Sequence, residues 1–132
     1  MNADEQAVAG VLADYEKALN ASSTSDVMKL YTVGGVFMPQ HFPSSVGAEA
    51  VRKACDDVFG AIRLNVKFDV AEVRQLAPEW AMARTNSKGT VKVHATGETN
   101  PEANQELFLF QKLSDGWKIA RYCFSTTNPP RK

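Results

Sequence analysis

Between Asn104 and Thr127 the chain reads NQELFLFQKLSDGWKIARYCFSTT, and no other stretch restricts the fold as much. Apolar and polar residues alternate with period two on both sides of Ser114-Asp115-Gly116. Aromatic and β-branched runs flanking an Asp-Gly bend specify a β-hairpin, with strands over 104–113 and 117–127. In the first strand Glu106, Phe108 and Phe110 share one face, and Leu107, Leu109 and Leu113 share the other. Both faces are largely apolar, so both should be covered, one by helices and the other by a partner subunit or more of the chain. Glu106 is the exception, a carboxylate in line with two phenylalanines. It sits either at a solvated rim or in an apolar pocket, where burial would raise its pKa.

The chain has 132 residues, enough for one domain over 1–132 with a core that needs no disulfide or metal. Fifteen basic residues balance 15 acidic ones, with no basic stripe, which argues against nucleic acid or an anionic membrane as partner. The start, MNADEQ, is polar and acidic rather than a secretory signal. No apolar run approaches the roughly 18–20 residues that span a bilayer, so the expected location is cytoplasmic. Cys55 and Cys123 lie far apart at apolar positions and read as small buried hydrophobes. Without a Cys-x-x-Cys or His/Cys cluster, no metal site is expected.

Upstream of the hairpin, Val8, Val11, Leu12, Tyr15, Ala18 and Leu19 follow three/four spacing and predict a helix from about Asp4 to Ala21. A serine of Ser22-Ser23-Thr24-Ser25 can cap a short helix over 26–31. Gly34-Gly35 is expected to end that helix before a short strand over 36–38. Pro39 stops the strand, and residues 40–45 form a loop. A second amphipathic helix spans about 47–62, burying Val51, Ala54, Cys55, Val58, Phe59 and Ile62. Period two returns over 64–76, with Val66, Phe68 and Val70 on one face. A long strand runs from Trp80 to about Thr96, where Gly89 suggests a bend or bulge. Residues 99–103, with Asn100-Pro101, read as a link to the hairpin. Helices followed by meandering strands make an α+β fold, a cone-shaped curved antiparallel β-sheet wrapped around N-terminal helices. Its open end would hold the small-molecule site.

The order of elements, DYEKALNASS in the first helix, YTVGGVFMPQHFPSSVGAEAVRKA and the ending ELFLFQKLSDGWKIARYCFSTTNP resemble the nuclear transport factor 2-like (cystatin-like) superfamily over almost the whole chain. Within it they are similar to the SnoaL-like polyketide cyclases of the SgcJ/EcaC type and, more distantly, to ketosteroid isomerase. In ketosteroid isomerase a tyrosine and a protonated carboxylic acid hydrogen-bond the developing oxyanion, while an aspartate moves the proton. The resemblance implies that Tyr15 matches the tyrosine and Glu106 the protonated acid. The base position falls near Pro39, which has no proton-carrying side chain. Gln40 and His41 are the nearest substitutes, and a histidine titrates near neutrality, as base work needs.

The resemblance thus implies a small-molecule ligand, a homodimer and no cofactor. The ligand would be apolar or aromatic with a carbonyl group, bound by Phe37, Gln40, Phe42, Phe59, Phe68, Phe108 and Tyr122. Tyr15, Glu106 and His41 would carry isomerase, cyclase or lyase chemistry. The alternative is a non-catalytic ligand-binding or dimerisation module. Plainer roles stay open for each residue: Tyr15 as a core tyrosine bonded to backbone, Glu106 paired with Arg84 or Arg121, His41 as an exposed loop residue, and most aromatics as core. Thr85, Asn86 and Ser87 are either ligand contacts or cross-strand pairs.

Overall fold

A computed structural model describes residues 1–130. Helix α1 (Ala3–Asn20) opens on a capping box in which the Asn2 side chain accepts from the Glu5 backbone N–H, while the Glu5 carboxylate accepts from that of Asn2. Its apolar stripe, Val8, Leu12, Tyr15 and Ala18, is fully buried. Ser23 caps the short α2 (Thr24–Met28), where its hydroxyl accepts from the Asp26 N–H. Helix α3 (Ala48–Ala61) follows the left-handed Gly47 (φ 88°).

Six strands form one curved sheet in the order β2-β1-β6-β5-β4-β3. They are β1 (Tyr31–Met38), β2 (Ser45–Val46), β3 (Ile62–Ala77), β4 (Trp80–Val93), β5 (Thr99–Leu113) and β6 (Gly116–Thr126). Neighbours are antiparallel except β1 and β6, which run parallel. The helices cover one face, and the core between them centres on Phe108, Phe110, Ile119, Leu12, Val8 and Val51.

The structure redraws four local expectations. Residues 26–31 are not one helix: it ends at Met28, and Tyr31 opens β1. Gly34 and Gly35 do not precede the strand but lie inside it, where pairing with β6 shifts between Tyr31 and Val36. The tyrosine ring explains Gly35, since a Cβ there would stand 2.9 Å from Tyr31 Cδ1. Gly89 is no bulge, because pairing with β3 and β5 runs through it unbroken. It permits close approach instead: a Cβ would fall 1.9 Å from the Asn65 carbonyl oxygen. Finally, residues 99–103 belong to β5 rather than to a link. Proline is tolerated at 101 because β6 reaches only as far as Asn104↔Thr126, leaving β5 an edge strand beyond it.

The hairpin pairs as expected, from Leu113↔Gly116 to Asn104↔Thr126. Its two faces differ, however. Phe108 and Phe110 are fully buried, whereas Leu107 and Leu113 on the outer face are 47% and 39% exposed. Among the described residues none covers that face.

Candidate functional site

Between the helices and the curved sheet lies a cavity of about 640 Å³, open at one end. Apolar side chains make most of its wall, including Leu19 of α1, Val58 and Ala61 of α3, Leu64, Val66 and Phe68 of β3, and Tyr122 and Phe124 of β6. Its polar groups are Gln40, Ser44, Ser45, Lys53 and Asp57 between β1 and the end of α3, and a row on β4 and β5. On β5, period two directs Glu102, Asn104 and Glu106 to the inner face, and Ser87 stands beside them on β4. Across the strands Thr85 pairs with Glu106 and Ser87 with Asn104.

Glu106 is 5% exposed. Each carboxyl oxygen takes one hydroxyl donor, Thr85 Oγ1 at 2.6 Å and Ser87 Oγ at 2.5 Å. Burial raises its pKa from the ordinary carboxylate value, the two hydroxyls hold the rise back, and the Glu102 charge adds to it. Neither arginine offered as a partner reaches it, because strand parity places both on the outer face. Arg84 lies opposite Leu107 and bonds Glu72 at 2.8 Å. Arg121 lies opposite Leu109 and donates to the carbonyl oxygen of Ala120 at 2.7 Å. Glu106 therefore faces the cavity with hydroxyl partners and, among the described residues, no cation.

Tyr15 also borders the cavity, though only 3% of it is exposed. Its ring stacks on Phe68 and meets Phe108 and Tyr122 edge-on. The hydroxyl lies 3.5 Å from that of Tyr31, not on sheet backbone as the plainer reading had it. Burial lifts the phenols of Tyr15, Tyr31 and Tyr122 above their ordinary value, so all three remain neutral donors at neutral pH.

The remaining expected site residues divide. Phe37, Gln40, Phe42, Phe68 and Tyr122 border the cavity, as does Pro39. Phe59 does not, because it packs on the core from α3. Phe108 does not either, since it is fully buried beneath Tyr122 with ring centroids 4.3 Å apart. His41 also stays outside, exposed on its loop with φ 71°. Its Nε2 meets the Gln40 amide nitrogen at 2.9 Å, while the Gln40 oxygen accepts from the Thr126 N–H. Among the described residues, no three His, Cys, Asp or Glu side chains gather as a metal site. No helix among them is long and apolar enough to cross a membrane.

No protein-family model matches the chain, and no curated protein does. Solved structures do. A ketosteroid isomerase-like protein from Erwinia carotovora atroseptica SCRI1043 is 32% identical, with TM-score 0.93 over 98% of this chain and 100% of that one. The chain belongs to the ketosteroid isomerase-like family. A nuclear transport factor 2-like superfamily protein from Salmonella enterica matches with TM-score 0.82 at 14% identity, over 96% of this chain and 93% of that one. A nuclear transport factor 2-like protein with a cystatin-like fold, from Novosphingobium aromaticivorans, matches with TM-score 0.73 at 14% identity, over 96% and 84%. At that identity the last two speak for the fold alone.

In this ketosteroid isomerase-like chain, the inner-face row extends past the residues singled out from sequence. Asn104 and Glu102 were missed because Asn100-Pro101 read as the end of the strand. Had β5 been extended, period two would have aligned both with Glu106. Thr85 and Ser87 were noticed as polar residues on a strand. Their role needs the β4–β5 register, which the turn after Val93 sets.

Proposed function

We propose that this chain binds a small apolar or aromatic carbonyl compound in the cavity and moves a proton on it without a cofactor. One observation carries the reading: Glu106 is a buried carboxyl that borders a largely apolar cavity and, among the described residues, has no cation against it. Such a group shifts between acid and base nearer neutrality than an exposed carboxylate does. In the ionised form Glu106 takes a proton from the carbon next to the carbonyl. The C–H electron pair becomes a C=C bond, and the carbonyl π pair passes to oxygen. The enolate oxygen accepts from a neutral donor, for which Tyr15 is the proposed residue. Protonated Glu106 then returns the proton to carbon, at the same or a conjugated position. This is isomerase-type chemistry, and the first half alone serves a cyclase or lyase.

Within the family we place the chain with the SnoaL-like polyketide cyclases of the SgcJ/EcaC type, on the segments quoted above. The open outer face with Leu107 and Leu113 supports a homodimer. A second reading, a non-catalytic binding module, has its own support: Pro39 stands at the base position, and His41 lies outside the cavity.

The test is exchange of the α-protons of 1-tetralone in D2O, followed by NMR together with its binding. The expected result is catalysed exchange that rises with pH around a midpoint above the ordinary carboxylate range. Glu106→Gln should slow it by about a hundredfold or more, as removal of a general base does. Binding without faster exchange would select the non-catalytic module, and absence of binding would overturn both readings.

A further inference from the structure

Along the inner face of β5 the spare hydrogen-bonding capacity is of one kind. The Asn104 side chain is more than nine-tenths buried and borders the cavity. Its amide nitrogen donates to Glu102 Oε2 at 2.9 Å, which orients the amide and leaves Oδ1 as the end without a donor among the described residues. No side-chain oxygen sealed from water lacks a partner there, so this Oδ1 opens to the cavity. Next to it stands the Glu102 carboxylate, half-buried, whose charge lies within reach of Glu106. Asp57 lies further along the lining, paired with Lys53 at 3.0 Å. The lining thus carries three carboxyl groups, Asp57, Glu102 and Glu106, against one ammonium, and that ammonium is already paired. A carboxylate or phosphate entering here meets like charge and, among the described lining residues, only the Lys53 ammonium that Asp57 already pairs, so it is disfavoured. A hydroxyl finds acceptors.

Strand geometry gives the spacing. Asn104 and Glu106 are two residues apart on one face, which separates them by about 7 Å. We infer that the ligand is uncharged and carries its polar groups on one edge, a carbonyl whose α-carbon lies at Glu106 and a hydroxyl about one strand repeat away, donating to Asn104 Oδ1 beside Glu102. This rests on the binding reading above and deepens it by naming the charge and the second polar group. The wall away from β5 is mostly apolar, with Leu19, Val58, Ala61, Leu64 and Phe68, so that side of the ligand should be largely hydrocarbon.

Three probes share one frame: 1-tetralone, 6-hydroxy-1-tetralone and the 6-carboxylic acid of 1-tetralone, with dissociation constants measured by calorimetry at pH 7.5. The hydroxy compound should bind roughly tenfold tighter than the parent, as one added hydrogen bond to a buried acceptor allows. The acid should bind at least about tenfold more weakly than the parent. In Asn104→Leu the ratio of hydroxy to parent affinity should fall to about one. In Glu102→Gln, a change that keeps shape and hydrogen bonding, the acid should recover part of its loss. Equal affinities for parent and hydroxy compound, or an acid that binds as well as the parent, would overturn this inference and leave the binding reading standing. Failure of all three to bind would overturn both.

Discussion

Asp4 in α1 and Glu106 midway along β5 each take hydrogen bonds on both carboxyl oxygens, yet burial and partners drive them in opposite directions. Asp4, in the first turn of α1, accepts from Lys112 Nζ at 2.9 Å, Trp117 Nε1 at 3.0 Å and Gln75 Nε2 at 3.3 Å. It is partly open to water, and the Lys112 hydrogen bond, followed by that of Trp117, lowers its pKa. Glu106 accepts from two hydroxyls at shorter range, yet its pKa rises because burial outweighs them. Donor number therefore does not decide the protonation state. A cation and bulk water do. Asp4 is a clasp, holding the start of α1 to β3, β5 and β6. Glu106 is held just as firmly in place, but its charge is left uncompensated beside a cavity. That combination suits a group whose protonation is meant to change.

The comparison breaks most directly if Glu106 is given what Asp4 has. Phe124 lies opposite Glu106 in the β5–β6 register, is half-buried, and borders the cavity. Phe124→Lys would place an ammonium beside the carboxyl. The Glu106 pKa should then fall by about 1–3 units, the usual effect of an adjacent cation. Carboxyl-labelled NMR titration reads this directly, and the proposed α-proton exchange should fade as the base weakens. A Glu106 that still titrated above the ordinary carboxylate range would mean that burial, not the missing cation, controls it.

A smaller change works in the other direction. Thr85→Val keeps the shape of a side chain that is 2% exposed and removes one of the two hydroxyls that stabilise the carboxylate. The Glu106 pKa should rise by about one unit, the scale of one hydrogen bond to a charged group. The midpoint of the exchange profile should move with it. No movement would mean that Ser87 alone holds the carboxylate.

These two clusters were not equally legible in the sequence. The hairpin, and Glu106 in line with Phe108 and Phe110, follow from period two, which needs no knowledge of the rest of the chain. The stripe of α1 likewise placed Tyr15 inside. The partners of Glu106 depend on register between β4 and β5, and register is a property of two strands and the turn joining them. Pro101 concealed the outer half of β5 because the sequence does not reveal that β6 stops at Asn104↔Thr126. Gly34-Gly35 concealed the first part of β1 in the same way: a glycine pair punctuates in isolation, but here Gly35 admits the Tyr31 ring. The Asp4 clasp draws on Gln75, Lys112 and Trp117, all remote in sequence, so only the folded chain displays it.

The last test is the smallest in effect and separates the two carboxylates by sign. A carboxylate whose folded pKa is lowered contributes stability that is present above its unfolded value and is lost as pH falls through the folded value. Asp4→Asn should therefore lower Tm modestly at neutral pH, less so in high salt because the clasp is open to solvent. The gap to the wild type should close below the ordinary carboxylate range. For Glu106 the linkage reverses. Its folded pKa is raised, so its contribution is complete below the unfolded value and is lost as pH rises through the folded one. Measured against Glu106→Gln, the wild type should lose relative stability as pH climbs, while against Asp4→Asn it should gain. Thermal melts of the three proteins from pH 3 to pH 8 would display the crossing. If both differences ran the same way, the folded protein would hold Glu106 as a stabilised carboxylate like Asp4, and its place in the cavity wall would no longer argue for proton transfer.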